Sequence, residues 1–167
     1  DLSFDKIEGK GFFTKEIEDR LIGSEVDLAV HSYKDLETTQ PEGLEVAATL
    51  KRGFTEDLLL VRKETVDLNR PLGLSHRASV GTSSVRRKAQ FLNHDDSLTI
   101  KDLRGNVPTR LKKLRDGGYD AIVLARAGVE RLRLNVDDLH TVVLDRMEFV
   151  PAPAQGALVL QIRTNDT

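Results

Sequence analysis

Between residues 79 and 134, short apolar runs alternate with segments of helical period, and each run ends in a turn of small polar residues. SVG (79–81) leads through TSS into a helix predicted over 85–92. A strand over 98–103 leads through RGN into a helix over 107–114, and DAIVLA (120–125) into a short helix over 128–134. A strand that hands over to a helix cannot pair with the next strand as a hairpin. Such a chain is expected to fold as α/β, with a largely parallel sheet. Aromatic residues are 5% of the chain and Trp is absent, so the core must be aliphatic.

The rest of the chain fits the same class. Ile17, Leu21 and Ile22 recur at helical spacing, which predicts an amphipathic helix over 14–22 with Thr14 as N-cap and Gly23 at its end. VDLAVH (26–31), LEVAATL (44–50), DLLLV (57–61), TVVL (141–144) and ALVLQI (157–162) read as strands. The segments 51–56 and 149–155, the latter with a stiff Pro-Ala-Pro, read as crossings between lobes. Two crossings return the last strand to the sheet in which the chain began. The expected organisation is a first domain of residues 1–52 plus 153–167 and a complete second domain over 56–148. That layout is similar to type II periplasmic-binding-protein folds, two-lobed and hinged, with mixed, mostly parallel sheets and a ligand in the cleft. GFFTKEIE (11–18) opens a helix with no strand ahead of it. The first domain is therefore expected to be truncated, and the fragment to self-associate through uncovered apolar surface.

Lys and Arg number 25 against 27 Asp and Glu, a formal net charge of −2. The surface as a whole gives nucleic acid or an anionic membrane no attraction, so neither is an expected partner. No apolar run approaches the ~20 residues that span a bilayer, and residues 1–10 carry no signal-peptide core; a cytoplasmic location is expected. The absence of Cys removes disulfides, thiolate ligands and Cys nucleophiles together. His76, His94 and His140 are scattered, and the Asp pairs at 95–96 and 137–138 lack calcium-loop spacing, so no metal site is predicted.

Four units could carry chemistry. In GTSSVRR (81–87) a strand ends, hydroxyl residues make the turn, and a helix begins with Arg86 and Arg87. Free N–H groups, hydroxyls and guanidinium groups there suit an anion, and an ordinary capped helix with solvated Arg explains the pattern equally well. LRGNVPTR (103–110) repeats the arrangement with Pro108 early in its helix and Arg104 and Arg110 on either side of the turn. Two such turns on one sheet edge describe a wall for carboxylates or phosphates. AVHSYKD (29–35) delivers His31, Ser32, Lys34 and Asp35 at the end of a buried strand. Taken alone, Asp35 reads as a surface acid and His31 as a satisfied core histidine. Lys10, in the GKG turn (9–11), is one cation on a flexible loop. The Arg126, Arg131 and Arg133 set reads as a solvated helix face.

GKGFFTKE, AVHSYKDL, GTSSVRR and LRGNVPTRL stand in this order, followed by YDAIVLARAGVERL and PAPAQGAL. Together they resemble the porphobilinogen deaminase family along nearly the whole chain. The resemblance implies a transferase that binds a dipyrromethane cofactor between its first two domains. It extends the cofactor by four porphobilinogen units, with loss of ammonia, to linear hydroxymethylbilane in tetrapyrrole biosynthesis. By the same resemblance Asp35 is the catalytic aspartate. Lys10, Ser32, Lys34, Thr82, Ser84, Arg86, Arg87, Arg104, Gly105 and Arg110 take cofactor- or substrate-binding positions. The chemistry agrees: pyrroles bearing acetate and propionate need cations and donors, and a carboxylate stabilises the cation left when ammonia departs.

Some positions depart from the family pattern. Tyr33 replaces an aliphatic residue or Met, Leu36 and Glu37 replace a pair that normally contains Pro, and Pro153 and Ala154 stand where Val-Gly is common. The family's first strand and its third, Cys-bearing domain have no counterpart here. The fragment alone is therefore expected to be inactive and unable to attach the cofactor, while the full-length enzyme is expected to be a monomer. The competing reading is a non-catalytic, two-lobed anion-binding module for a carboxylate-rich ligand.

Overall fold

A computed structural model describes residues 12–164 and 166 of the protein. In chain order the elements are α1 (Phe12–Ile22), β1 (Ala29–Ser32), a 3-10 turn (Tyr33–Asp35), β2 (Leu44–Thr49) and β3 (Asp57–Arg62). After 3-10 turns at Lys63–Thr65 and Pro71–Gly73 come β4 (Ser79–Gly81), α2 (Val85–His94), β5 (Thr99–Lys101) and α3 (Val107–Arg115). The chain then forms β6 (Ala121–Ala125), α4 (Arg126–Arg131), β7 (Leu139–Val143) and β8 (Leu158–Arg163). It divides into two compact units, Asp1–Gly53 with Pro153–Thr167, and Phe54–Ala152.

The second unit holds a five-stranded sheet in the order β5-β4-β6-β3-β7. Where strand and helix alternate strictly, the ladders are parallel: β4 runs parallel to β5 and to β6. β3 reaches β4 through turns rather than a helix, and it lies antiparallel to both β6 and β7. β3 shows why its sequence is apolar without a break. Leu59 and Val61 pack on one face with Val80, Phe91 and Val123, while Leu58 and Leu60 pack on the other with Leu103, Leu111 and Leu124. A central strand covered on both faces alternates between two cores rather than between core and water.

The first unit has a three-stranded sheet, β1-β8-β2, antiparallel in both pairings. The last strand, β8, thus lies between the first two, β1 and β2. Its apolar core among the described residues is small, Leu21, Ala29 and Leu44 with Val26 against them. The same unit buries the polar residues Thr14, Glu18, His31, Gln155 and Gln161 among those described.

Several expected boundaries move, each for a long-range or local reason. Thr14 lies inside α1 instead of capping it, and its hydroxyl donates to Glu18 Oε2 at 3.3 Å, one turn on. The strand expected over 26–31 starts only at Ala29. Ser24 takes φ +57°, and the Arg163 guanidinium donates at 2.8 Å to the Leu21 carbonyl at the end of α1 and at 2.7 Å to the Val26 carbonyl, which a ladder would have served. α4 begins at Arg126. Arg126 is not simply solvated, because its guanidinium lies 3.5 Å from the centre of the Phe54 ring. Ala154 adopts φ +58°, the left-handed conformation that favours glycine.

Candidate functional site

At the carboxyl edge of the five-stranded sheet, two strand-to-helix turns lie side by side because β4 and β5 are parallel neighbours. Ser84 caps α2, its hydroxyl accepting from the Arg87 N–H at 3.4 Å, and Asn106 caps α3, accepting from the Thr109 N–H at 2.9 Å. Buried Thr82 accepts from the Ser84 N–H at 3.2 Å, and its own N–H donates to the Lys101 carbonyl at 2.9 Å. Ser83 stitches the two turns. Its hydroxyl donates to the Leu103 carbonyl at 3.2 Å and accepts from the Leu103 N–H at 3.1 Å. A side chain at Gly105 would be strained, since φ is +116° and a Cβ would stand 2.9 Å from Thr109 Cγ2. Arg110 folds back, its Nε donating to the Gly105 carbonyl at 2.6 Å, and Arg104 stays half-buried beside it.

Arg86 and Arg87 part company. Arg87 turns inward: Nε and Nη2 grip the two oxygens of Asp57 at 3.0 and 2.6 Å, and Nη1 reaches the Val123 carbonyl. The side chains of Arg87 and Asp57 are 8% and 1% exposed, so this fork is an interior ion pair. Arg86 stays half-buried. It shares Asp57 Oδ2 at 3.2 Å, donates to Gln90 Oε1 at 3.0 Å and also reaches the Val150 carbonyl. The structure therefore brings Thr82, Ser84, Arg86, Arg104, Gly105 and Arg110 to the edge of this unit and takes Arg87 below it.

In the first unit, β1 ends at Ser32 and the chain bends at once into the 3-10 turn. The Tyr33 N–H donates to the Ala157 carbonyl at 3.1 Å, and buried Leu36 anchors the far side of the turn. Ser32 and Asp35 are exposed and Lys34 half-buried. Two adjacent side chains that would diverge on an extended strand are thus carried by one tight turn. His31 is buried, with Nε2 2.9 Å from Gln161 Oε1. Lys10 lies outside the described residues.

Two residues at these sites escape a reading by sequence. Asp57 neutralises the Arg pair of α2, and its signal was an acid at the head of a wholly apolar strand, where a charge needs a partner. Ser83 looked like filler between a turn and a cap. Among the described residues no cluster of His, Asp or Glu could hold a metal ion, and no helix is long and apolar enough to cross a membrane.

The chain is similar to known proteins in fold and in sequence. By structure the chain is similar to the BvgS periplasmic VFT2 domain of Bordetella pertussis (TM-score 0.51, 15% identity, 91% of this chain and 61% of that one). It is also similar to an ancestral cationic amino acid solute binding protein (TM-score 0.50, 16% identity, 92% and 62%). These likenesses show the fold, α/β of the two-lobed periplasmic-binding-protein type. By sequence it is 46% identical over 158 residues to porphobilinogen deaminase of Campylobacter concisus, covering 95% of this chain and 50% of that protein. It is 46% identical over 167 residues to the enzyme of Maridesulfovibrio salexigens, covering 100% and 52%. The chain spans about half the length of the curated relatives it matches. The family model "Porphobilinogen deaminase, dipyromethane cofactor binding domain" matches residues 1–167. A match over every residue, with relatives at this identity along the whole chain, places the protein in the porphobilinogen deaminase family.

Proposed function

We propose that this chain is the cofactor-holding and catalytic part of a porphobilinogen deaminase, which condenses four porphobilinogen units into hydroxymethylbilane in tetrapyrrole biosynthesis, in the cytoplasm. The donor set on the edge of the second unit fits a dipyrromethane. Hydroxyls at Thr82 and Ser84, the Gly105 turn and the cations Arg86, Arg104 and Arg110 match acetate and propionate groups. Arg87 does not belong to that set, because Asp57 and Val123 already engage it; it holds the helix that presents Arg86. The cofactor, when bound, supplies the terminal pyrrole carbon on which the product grows. Its thioether must come from residues outside this chain, which contains no cysteine.

The observation that carries the reading is Asp35, an exposed carboxylate on a tight turn between the hydroxyl of Ser32 and a buried leucine, beside Lys34. As the aminomethyl C–N bond of porphobilinogen breaks and ammonia leaves with the bonding pair, a positive charge develops over the pyrrole. Asp35 faces that charge and takes up the proton released once the new C–C bond has formed, while Ser32 and Lys34 orient the substrate's carboxylates. The competing anion-binding reading is favoured by the cationic edge alone and has no use for Asp35. In the full-length protein that carries this chain, Asp35→Asn keeps the shape and removes the charge. Steady-state turnover of porphobilinogen should fall roughly 10²–10³-fold, with binding of a carboxylate-rich product analogue held or improved. Near-normal turnover would overturn the assignment and leave the anion binder.

A further inference from the structure

The loop that carries Ser32, Lys34 and Asp35 leaves β1 and rejoins the sheet at Leu44, and a single carboxamide ties both of its ends. Gln161, on β8 and fully buried, directs Oε1 at His31 Nε2, 2.9 Å away. Its Nε2 donates to Gln40 Oε1 at 2.7 Å and to Glu18 Oε1 at 3.0 Å. His31 is the last inward-facing side chain before the loop, and Gln40 stands on the loop's return, its own Nε2 donating to the Glu37 carbonyl at 2.8 Å. Glu18 is 6% exposed on α1, and its second carboxyl oxygen accepts from the Thr14 hydroxyl.

Each orientation in this chain of groups follows from the next. The Glu37 carbonyl accepts only, so it fixes the Gln40 amide with Oε1 toward Gln161. That oxygen and the Glu18 carboxylate both require hydrogens, and the NH₂ end of Gln161 has two. The oxygen end is therefore left for His31, whose imidazole must carry its proton on Nε2. Reversing Gln161 would leave its own buried carboxamide facing like groups, and reversing Gln40 would set one NH₂ against another.

We propose that Gln161 is a positioning residue for the Asp35 loop, a clasp that joins His31 before the loop and Gln40 after it to Glu18 on the helix beneath. The proposal rests on the reading of Asp35 as the catalytic carboxylate, because a clasp matters to turnover only if the loop it holds carries the chemistry. Fixing both ends of residues 32–39 to one buried group restricts where the Asp35 carboxylate can lie, and small misplacements of a reacting group cost large factors in rate.

The test uses the full-length protein. Nitrogen NMR of the His31 ring should show one tautomer, protonated on Nε2. Gln161→Leu should mix the tautomers, shift the backbone amides of residues 32–35 and 40, and lower kcat/KM about tenfold at a temperature where the variant is folded. Should Gln161→Leu fail to fold, the smaller change Gln40→Leu is expected to lower kcat/KM severalfold with the same amide shifts. Glu18→Gln, which keeps an acceptor for Gln161, should stay within about twofold of the parent, whereas Glu18→Leu should behave as Gln161→Leu does. A merely structural role would lower thermal stability in both Glu18 variants without separating their rates. A His31 ring protonated on Nδ1, or folded Gln161→Leu or Gln40→Leu with unchanged amide shifts and kcat/KM, would overturn the clasp. If Asp35→Asn turned over normally, the catalytic reading would fall, yet the amide shifts in Gln161→Leu would still decide whether the clasp holds the loop.

Discussion

In the second unit, the turns at the sheet edge are capped from within. Ser84 and Asn106 each accept from a backbone N–H three residues on, and Ser83 links the two turns across one strand spacing. In the first unit, Ser32 makes no side-chain cap to the 3-10 turn that follows it, and the partner that holds its neighbour His31 lies 130 residues further along the chain. The first arrangement can form as soon as its own strand and helix exist. The second waits for β8 to return. The acidic turn is therefore the part of the molecule whose geometry depends on the whole chain, and the cationic edge is the part that a short stretch of sequence can build.

The largest effect that would test this contrast lies where the cationic edge has its one deep long-range anchor. Asp57→Ala leaves Arg87 buried and charged against the Val123 carbonyl, and removes one partner of Arg86. Breaking a buried pair by deleting one member typically destabilises by about 3–5 kcal/mol. Urea unfolding of the second unit should lose about that much, and the amides of α2 should exchange faster while residues 32–35 keep their shifts. A loss under about 1 kcal/mol would mean that Arg87 escapes to water, and that the edge needs no anchor beyond its caps.

The same contrast explains what could be read from the sequence. SVG followed by TSS and an Arg pair gave the end of β4, the turn and the start of α2 at Val85, because each signal is local. DLLLV gave a strand, β3, because a continuous apolar run has few other uses in an α/β chain. The start of β1 moved from 26 to 29 because Arg163, far along the chain, serves the Leu21 and Val26 carbonyls. Thr14 looked like a cap because nothing nearby announced that Glu18 would need its hydroxyl. In GTSSVRR the two Arg residues are indistinguishable as letters. Only the register of α2 over β3 decides that Arg87 points at Asp57 and Arg86 toward the edge.

A smaller change isolates the link between the two capped turns. Ser83→Ala removes a hydroxyl that both donates to and accepts from the Leu103 backbone. The expected loss is about 1 kcal/mol, with amide shifts centred on residues 83 and 103–105 and none in 32–35. Shifts spreading to 32–35 would show that the two regions are not built independently, and would break the contrast.

The smallest effect concerns acid. Asp95, just beyond α2, accepts from the Ser97 hydroxyl at 2.6 Å and the Ser97 N–H at 3.0 Å, and pairs with Arg70 at 2.8 Å. These bonds, the Ser97 hydroxyl foremost and the Arg70 guanidinium next, lower its carboxyl from 3.8 to about 2. Between those two values the unfolded chain binds more protons at this residue than the folded one does, so stability rises with pH across that interval. The contribution is complete above pH ~4 and disappears as pH falls through about 2. Because the carboxyl keeps contact with water, its worth is that of a surface pair, at most about 1 kcal/mol. Asp95→Asn keeps an acceptor for Ser97 but cannot titrate. Urea unfolding of parent and variant between pH 2.5 and 5 should therefore differ by an amount that shrinks steadily toward the acid end. A difference constant across that range would mean that neither the Ser97 bonds nor the Arg70 pair lowers the carboxyl in the folded protein. The tie to Arg70, 25 residues away, would then contribute nothing, and even this corner of the second unit would be local.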